Sequence, residues 1–271
     1  MKIYSDEFYY SVIRTVFPGT KTVRKPNVSG MVSPVFICVT DDGTIVCRFS
    51  EPDLLFYNHE IGNVLNANNV PVPKTSIHFC RGCWFESYEY CPDLTLYEHM
   101  QCGMSNEAVF DVYKQVINTQ RMISEIQSKD FSVEYNRRMS GVFAINQKKR
   151  LHPLLAKTYA AIYTRFANCG TMRLLHNDIH NRNILVSSDG NLSRLIDLDA
   201  IALCNESFSV LQTLRLYPLS NHAEFIDCYE DAMKRTVNRP AIMFGLKALN
   251  SIRVPQVRLN QMLWRGYNRI R

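Results

Sequence analysis

Between residues 174 and 199 an apolar stretch is broken by polar side chains in a definite order. LLHNDIHNRNILV (174–186) carries His176, Asp178, His180 and Asn183, and LIDLD (195–199) ends the next apolar run with Asp197 and Asp199. ILV (184–186), the turn at Asp189-Gly190 and LSRLID (192–197) predict a short hairpin. Such a hairpin folds Asp178, Asn183 and Asp197 toward one edge, although they span twenty residues of chain. Two carboxylates and a carboxamide oxygen are hard ligands, suited to Mg²⁺ held alongside phosphate oxygens. A carboxylate beside such a metal can instead orient an attacking hydroxyl and accept its proton.

The elements that must position these residues follow from patterning. VFICV (35–39), the turn DDGT and IVCRF (45–49) predict a hairpin, preceded by a strand near TVRKPNV (22–28). Ser50-Glu-Pro-Asp53 has the shape of a capping box. Leu54, Tyr57, Ile61, Val64 and Leu65 then recur at helical spacing. SIHFC (76–80) and CWFESYEY (83–90) predict a second hairpin, with Arg81-Gly82 at its tip. From about Leu94 the pattern turns helical. One long helix starts near Ser105 and is lined by Val109, Val112, Tyr113, Val116, Gln120 and Ile123. A polar connection (129–150) leads to a second helix over 151–169, ended by Gly170. The fold class expected is α+β: residues 1–93 form a small antiparallel sheet with one helix, and residues 94–271 a larger, mainly helical part.

His176-Asn-Asp178 with Asn183 resembles the H-x-D-x-x-x-x-N catalytic loop of the protein-kinase-like fold, and Ile196-Asp197-Leu-Asp199 stands where D-F-G would be. His180, two residues after Asp178, makes the loop more similar to the H-x-D-x-H-x-x-N of aminoglycoside and choline phosphotransferases. Lipopolysaccharide-core kinases come next. The resemblance covers about residues 22 to 200 and implies a bilobal kinase-like fold with ATP and Mg²⁺ as cofactors. Carried over by position, it makes Asp178 the catalytic base and Asn183 and Asp197 the metal ligands. His180 would support the loop, and Asp199 would fix it rather than ligate. Arg48 in IVCRF takes the place of the strand Lys, where its fork would meet α- and β-phosphates. Glu60 takes the place of the helix acid that holds it. The single glycine of NVSGM (27–31) leaves Ser29 and Gly30 as the phosphate-contacting peptide groups, and Glu89 to Cys91 in SYEYCPDLTL (87–96) would meet adenine.

Acceptor identity is open at this level. A hydroxyl of a small molecule or saccharide is favoured by His180 and by the absence of an A-P-E segment. A protein acceptor, as in a secreted effector, and a non-catalytic nucleotide-binding module are the alternatives, the latter suggested by Arg48 and the glycine-poor loop.

Composition sets wider limits. A net charge of +6 is compatible with an anionic partner. No run reaches the roughly 20 apolar residues of a membrane span, and the N-terminal stretch lacks the apolar core of a secretion signal. Nine cysteines, an odd number, suggest reduced thiols in a cytoplasmic setting. Cys80-x-x-Cys83 fits a hairpin tip better than a zinc site. Residues 253–271 hold five arginines and no acid, with Leu259, Met262, Leu263, Gly266 and Ile270 on one helical face. That segment suggests packing first, and docking to an anionic membrane surface or acidic partner second; no nucleic-acid motif accompanies it.

Overall fold

The computed structural model of the chain describes residues 4–26, 33–127 and 172–247. Its contacts group into two units, Met1–His99 with Ile184–Asp199, and Met100–Asn183 with Ala200–Arg271.

The first unit opens with a helix, α1 (Asp6–Val16), ahead of the first expected strand, in a stretch to which no element had been assigned. Ser5 caps it by accepting the Phe8 N–H, and Asp6 and Glu7 suit the positive end of its dipole. Strands β1 (Thr22–Arg24), β2 (Val35–Thr40) and β3 (Gly43–Phe49) follow, then α2 (Pro52–Ala67), β4 (Ser76–Cys80) and β5 (Cys83–Glu89). The strands form one antiparallel sheet in the order β1-β2-β3-β5-β4. Tyr9, Val12 and Ile13 of α1 bury against Phe36, Cys47, Phe49 and Phe85 on one sheet face. Strand alternation sends Arg48 and Glu86 to the other face, toward α2. Phe56 of α2 meets Trp84 of β5 there, ring centroids 5.3 Å apart.

Helix α2 begins one residue later than a Ser50 cap requires. Glu51 is the N-cap and makes no capping hydrogen bond, and Pro52 occupies the first turn. At the tip of the β4–β5 hairpin, Arg81 (φ +50°) and Gly82 (φ +77°) both lie in the left-handed region, the geometry of a primed two-residue turn. Cys80 and Cys83 are the register pair that closes it.

A hairpin from late in the chain completes this unit. β6 (Leu94–Thr95) pairs with β8 (Ile184–Val186), which pairs with β9 (Leu192–Leu195). The Leu195 N–H donates to Pro71 O at 2.8 Å. By its contacts Ile184–Asp199 groups with Met1–His99: β8 and β9 share a separate three-stranded sheet with β6, and Leu195 bonds to the loop at Pro71.

In the second unit, α4 (Asn106–Glu125) follows the short α3 (Leu96–Gln101), and the Ser105 hydroxyl caps α4 by accepting from Ala108 N–H. Its buried face carries Val109, Val112, Tyr113, Val116, Gln120 and Ile123, the stripe read from the sequence. β7 (Met172–His176) pairs antiparallel with β10 (Ile201–Asn205). Helices α5 (Glu206–Leu216) and α6 (His222–Met233) come next, α5 capped by the Asn205 side chain. Tyr113 packs edge-on against Tyr217, centroids 4.7 Å apart. The helix expected over 151–169, the polar connection before it and the basic segment 253–271 lie outside the described residues. Among the described residues no helix is long and apolar enough to cross a membrane.

Candidate active site

The loop after β7 is folded by its own side chains. Gln120, on the buried face of α4, donates from Nε2 to His176 O and accepts His176 N–H at Oε1, both at 2.9 Å. One side-chain amide thus does for the end of β7 what a further strand would do. Asn177, fully buried, donates from Nδ2 to Leu175 O at 2.9 Å and Ala200 O at 3.1 Å, and its own N–H donates to Ala200 O at 3.1 Å.

The chain then turns so that its polar groups face inward on one another. The Asp178 N–H donates to His176 Nδ1 at 3.3 Å, and the Arg182 N–H donates to His180 Nδ1 at 3.2 Å. Each imidazole accepts at Nδ1, so each carries its proton on Nε2. The His180 Nε2 lies 4.0 Å from Asp178 Oδ2. Asn183 donates its N–H to His180 O and its Nδ2 to Asp178 O, each at 2.9 Å. With Nδ2 used in this way, Oδ1 is the group Asn183 has for a ligand. The structure therefore gathers Asp178, His180 and Asn183 into one closed turn.

Replacing Gln120 with Leu is expected to leave the two buried backbone groups of His176 unmet, at about 1–3 kcal/mol each. Chemical denaturation would show the loss, and kcat should fall more than KM rises because the loop is what shifts.

The first unit carries the remaining candidates. Arg48 stands directly across the β3–β5 ladder from Glu86 and donates from Nη1 to Glu86 Oε1 at 3.0 Å. Its Nη2 pairs with Asp199 and lies 3.7 Å from Asp197 Oδ1. Asn58 of α2 donates from Nδ2 to Asp199 Oδ1 at 2.6 Å. Burial opposes the Arg48 charge, yet Asp199, Asp197 and Glu86 together hold its pKa well above the ordinary value. Burial also pushes the Glu86 carboxyl up, with Arg48 offsetting part of the rise. Asp197 has φ +63°, a left-handed conformation that costs a non-glycine residue about 1 kcal/mol or more and that clusters at functional sites.

This geometry corrects one expectation. Arg48 is not held by Glu60, which is exposed on α2. Its carboxylate partners are Glu86 and Asp199. Two residues along a helix is a rotation of roughly 200°, so Glu60 leaves α2 opposite to Asn58. Of the other candidates, the Glu89 side chain is exposed and sits 3.4 Å from Arg194. The Cys91 Sγ donates to Asp93 Oδ2 at 3.3 Å, and the Tyr90 N–H between them donates to Thr44 O at 3.0 Å. Ser29 and Gly30 lie outside the described residues.

Glu86, Asn58 and Gln120 are the participants that motif matching passed over. Gln120 had been placed on the buried stripe of α4, where a polar side chain needs a partner. Asn58 lies on the apolar stripe of α2. For Glu86 the signal was a carboxylate at an alternating position inside an aromatic strand.

The donor set fits a divalent cation. One guanidinium faces three carboxylates, Glu86, Asp197 and Asp199, so positive charge is in deficit there. The Asp197 side chain, 42% exposed, is the member of the three least committed to burial. A carboxylate oxygen of this kind is a hard ligand of the sort Mg²⁺ takes when phosphate and water provide the rest.

The model of the phosphotransferase enzyme family matches residues 23–203, which include every residue just described. The chain belongs to the phosphotransferase enzyme family. It is an enzyme, a kinase that transfers a phosphoryl group to an alcohol. Solved structures of the same fold include an aminoglycoside-3′-phosphotransferase of type VIII, at 13% identity over 89% of this chain and 96% of that one, with a TM-score of 0.65. A spectinomycin phosphotransferase in complex with ADP and spectinomycin matches at 10% identity, 90% and 84% coverage and a TM-score of 0.60. A choline kinase from Streptococcus pneumoniae matches at 13% identity, 93% and 91% coverage and a TM-score of 0.58. No curated protein matches this phosphotransferase by sequence. The expected α+β kinase-like fold and the small-molecule kinase family are both met, with α1 as an element not foreseen.

Proposed function

We propose that this phosphotransferase moves the γ-phosphoryl group of ATP to a hydroxyl of a small molecule or saccharide, with Mg²⁺ held by Asn183 and Asp197. The observation that carries the reading is the closed turn 176–183. It spends the Asn183 amide nitrogen on Asp178 O, and its one carboxylate, that of Asp178, has a side chain 24% exposed.

In the reaction Asp178 accepts the proton of the acceptor hydroxyl as the new oxygen–phosphorus bond forms. The bond from the γ-phosphorus to the β–γ bridging oxygen breaks, and ADP leaves with that electron pair. His180 braces the loop through the Arg182 N–H, with its own Nε2 4.0 Å from Asp178 Oδ2. Arg48 has two of its three nitrogens engaged by carboxylates, so its first work is to fix Asp199 and Asp197; its remaining N–H groups are those available to α- and β-phosphates. The bound cation supplies charge neutralisation on the phosphate oxygens. Peptide groups flanking Tyr90 at Glu89 and Cys91 would take adenine. The nucleotides in related structures, such as the ADP bound to the spectinomycin phosphotransferase, support this part of the reading. The aminoglycoside and choline enzymes of the same fold support a small acceptor.

The test is a melting curve with ADP and Mg²⁺, followed by an ATP-dependent screen of metabolites for a gain of one phosphoryl group. At a ligand concentration 100 times the dissociation constant, binding adds about 2.7 kcal/mol to the native state and raises the Tm accordingly. No shift with nucleotide and metal together would refute nucleotide dependence. Transfer onto lysate proteins instead of metabolites would move the acceptor to the protein class.

A further inference from the structure

The contact surface of α2 reaches the metal-side turn through an uncharged residue. Asn58 and Gly62 are four apart and share one helix face. The Asn58 Nδ2 donates to Asp199 Oδ1 at 2.6 Å, and a Cβ on Gly62 would lie 3.6 Å from Leu198 Cδ1. A carboxylate only accepts, so the Asn58 amide must present its NH₂ to Asp199. Both Asn58 and Gly62 are buried, whereas Glu60 is exposed. Asp199 in turn receives Arg48, whose other arm is fixed by Glu86 across the sheet.

We infer that Asn58 is a positioning residue for Asp197: α2 holds the turn 197–199 through the Asn58–Asp199 hydrogen bond, in place of a helix acid holding Arg48. The chain of contacts is Asn58 to Asp199 to Arg48, with Asp197 two residues before Asp199 and held left-handed at φ +63°. Asp199 accepts from a neutral amide and a guanidinium at once, so its carboxylate is fixed from two elements, α2 and β3. Loss of the amide leaves the Arg48 pairing from β3 in place. The turn that carries Asp197 then keeps its ionic tie to the sheet and loses its hydrogen bond to the helix. Glu60, facing away, has no part in this linkage.

The inference builds on the proposed metal role of Asp197, and its first readout needs neither nucleotide nor metal. Hydrogen–deuterium exchange at the amides of residues 196–199 in the unliganded protein should quicken about ten- to a hundredfold in Asn58→Leu, the equilibrium worth of a hydrogen bond to a charged group. Glu60→Gln should exchange as the wild type does. The second readout is calorimetric ADP binding with and without Mg²⁺. The strengthening that Mg²⁺ confers should shrink about tenfold or more in Asn58→Leu and stay intact in Glu60→Gln. In a cycle with Asp199→Asn, the double variant should be no worse than the poorer single one, because both act through one contact. Asn58→Ser, which cannot reach Asp199, and Asp199→Asn read the same contact if the leucine variant does not fold. Unchanged exchange at 196–199, an equal effect from Glu60→Gln, or additive losses in the cycle would each overturn the inference. If wild-type protein binds no ADP, the proposed function falls, and the exchange comparison still decides this point.

Discussion

Asp178→Asn is expected to lower kcat by about 10²- to 10⁴-fold, the usual contribution of a positioned general base. Asparagine keeps the size and the neighbouring backbone contacts, since the bond from Asn183 ends on the Asp178 carbonyl rather than on its side chain. ADP affinity with Mg²⁺ and the Tm should therefore stay close to wild type while turnover is lost. That separation distinguishes a base from a binding group, because removing a group that acts only in the transition state lowers kcat and kcat/KM together. A variant that retained full turnover would remove Asp178 from the role. A variant that lost nucleotide affinity equally would make it part of the binding site instead.

The second large effect concerns stability. Arg48→Met should destabilise the protein by about 3–5 kcal/mol, measured by urea unfolding without nucleotide. Glu86 is buried, its second oxygen Oε2 has no hydrogen-bond partner among the described residues, and Asp199 is largely buried beside it. Taking away the guanidinium leaves these carboxylates with a desolvation cost and no counter-charge. The double variant Arg48→Met/Glu86→Leu should recover part of the loss, since an ion pair replaced on both sides by apolar groups is often near neutral. Arg48→Lys should fall between, because an ammonium cannot bridge Glu86 and Asp199 with the two arms of a planar fork. If Arg48→Met unfolds at the wild-type urea concentration, the residue is not the keystone of this network.

The part of the site closest to the reaction was the most legible in the sequence. Asp178, His180 and Asn183 form one short loop between two strands, so their spacing already contains the turn that brings them together. The network around Arg48 was harder because it depends on register and helix phase. Nothing in CWFESYEY states which residue of IVCRF will face Glu86; that follows only once β3 and β5 are paired. Helix phase, by contrast, was available. Leu54, Tyr57 and Ile61 mark the inward stripe of α2, Asn58 sits four residues after Leu54 and three before Ile61, and Glu60 falls outside it. The family pattern points to Glu60 and the periodicity to Asn58, and the fold follows the periodicity. Helix α1 was also readable, from Ser5 as a cap and from Tyr9, Val12, Ile13 and Val16 at helical spacing.

The grouping of Ile184–Asp199 with Met1–His99 has a bearing on how the protein is made. Domains usually fold as they emerge, N-terminal first, while synthesis proceeds at about 5–20 residues per second. Here β6 waits for its partner strand β8, and Pro71 O for the Leu195 N–H, until about 100 more residues have been added after His99. For roughly 5–20 seconds the nascent sheet is therefore without the segment that holds Asp197 and Asp199, and Arg48 has only Glu86 of its three facing carboxylates. The unit emerges from the ribosome unfinished, and its electrostatic centre closes only when translation has passed residue 199.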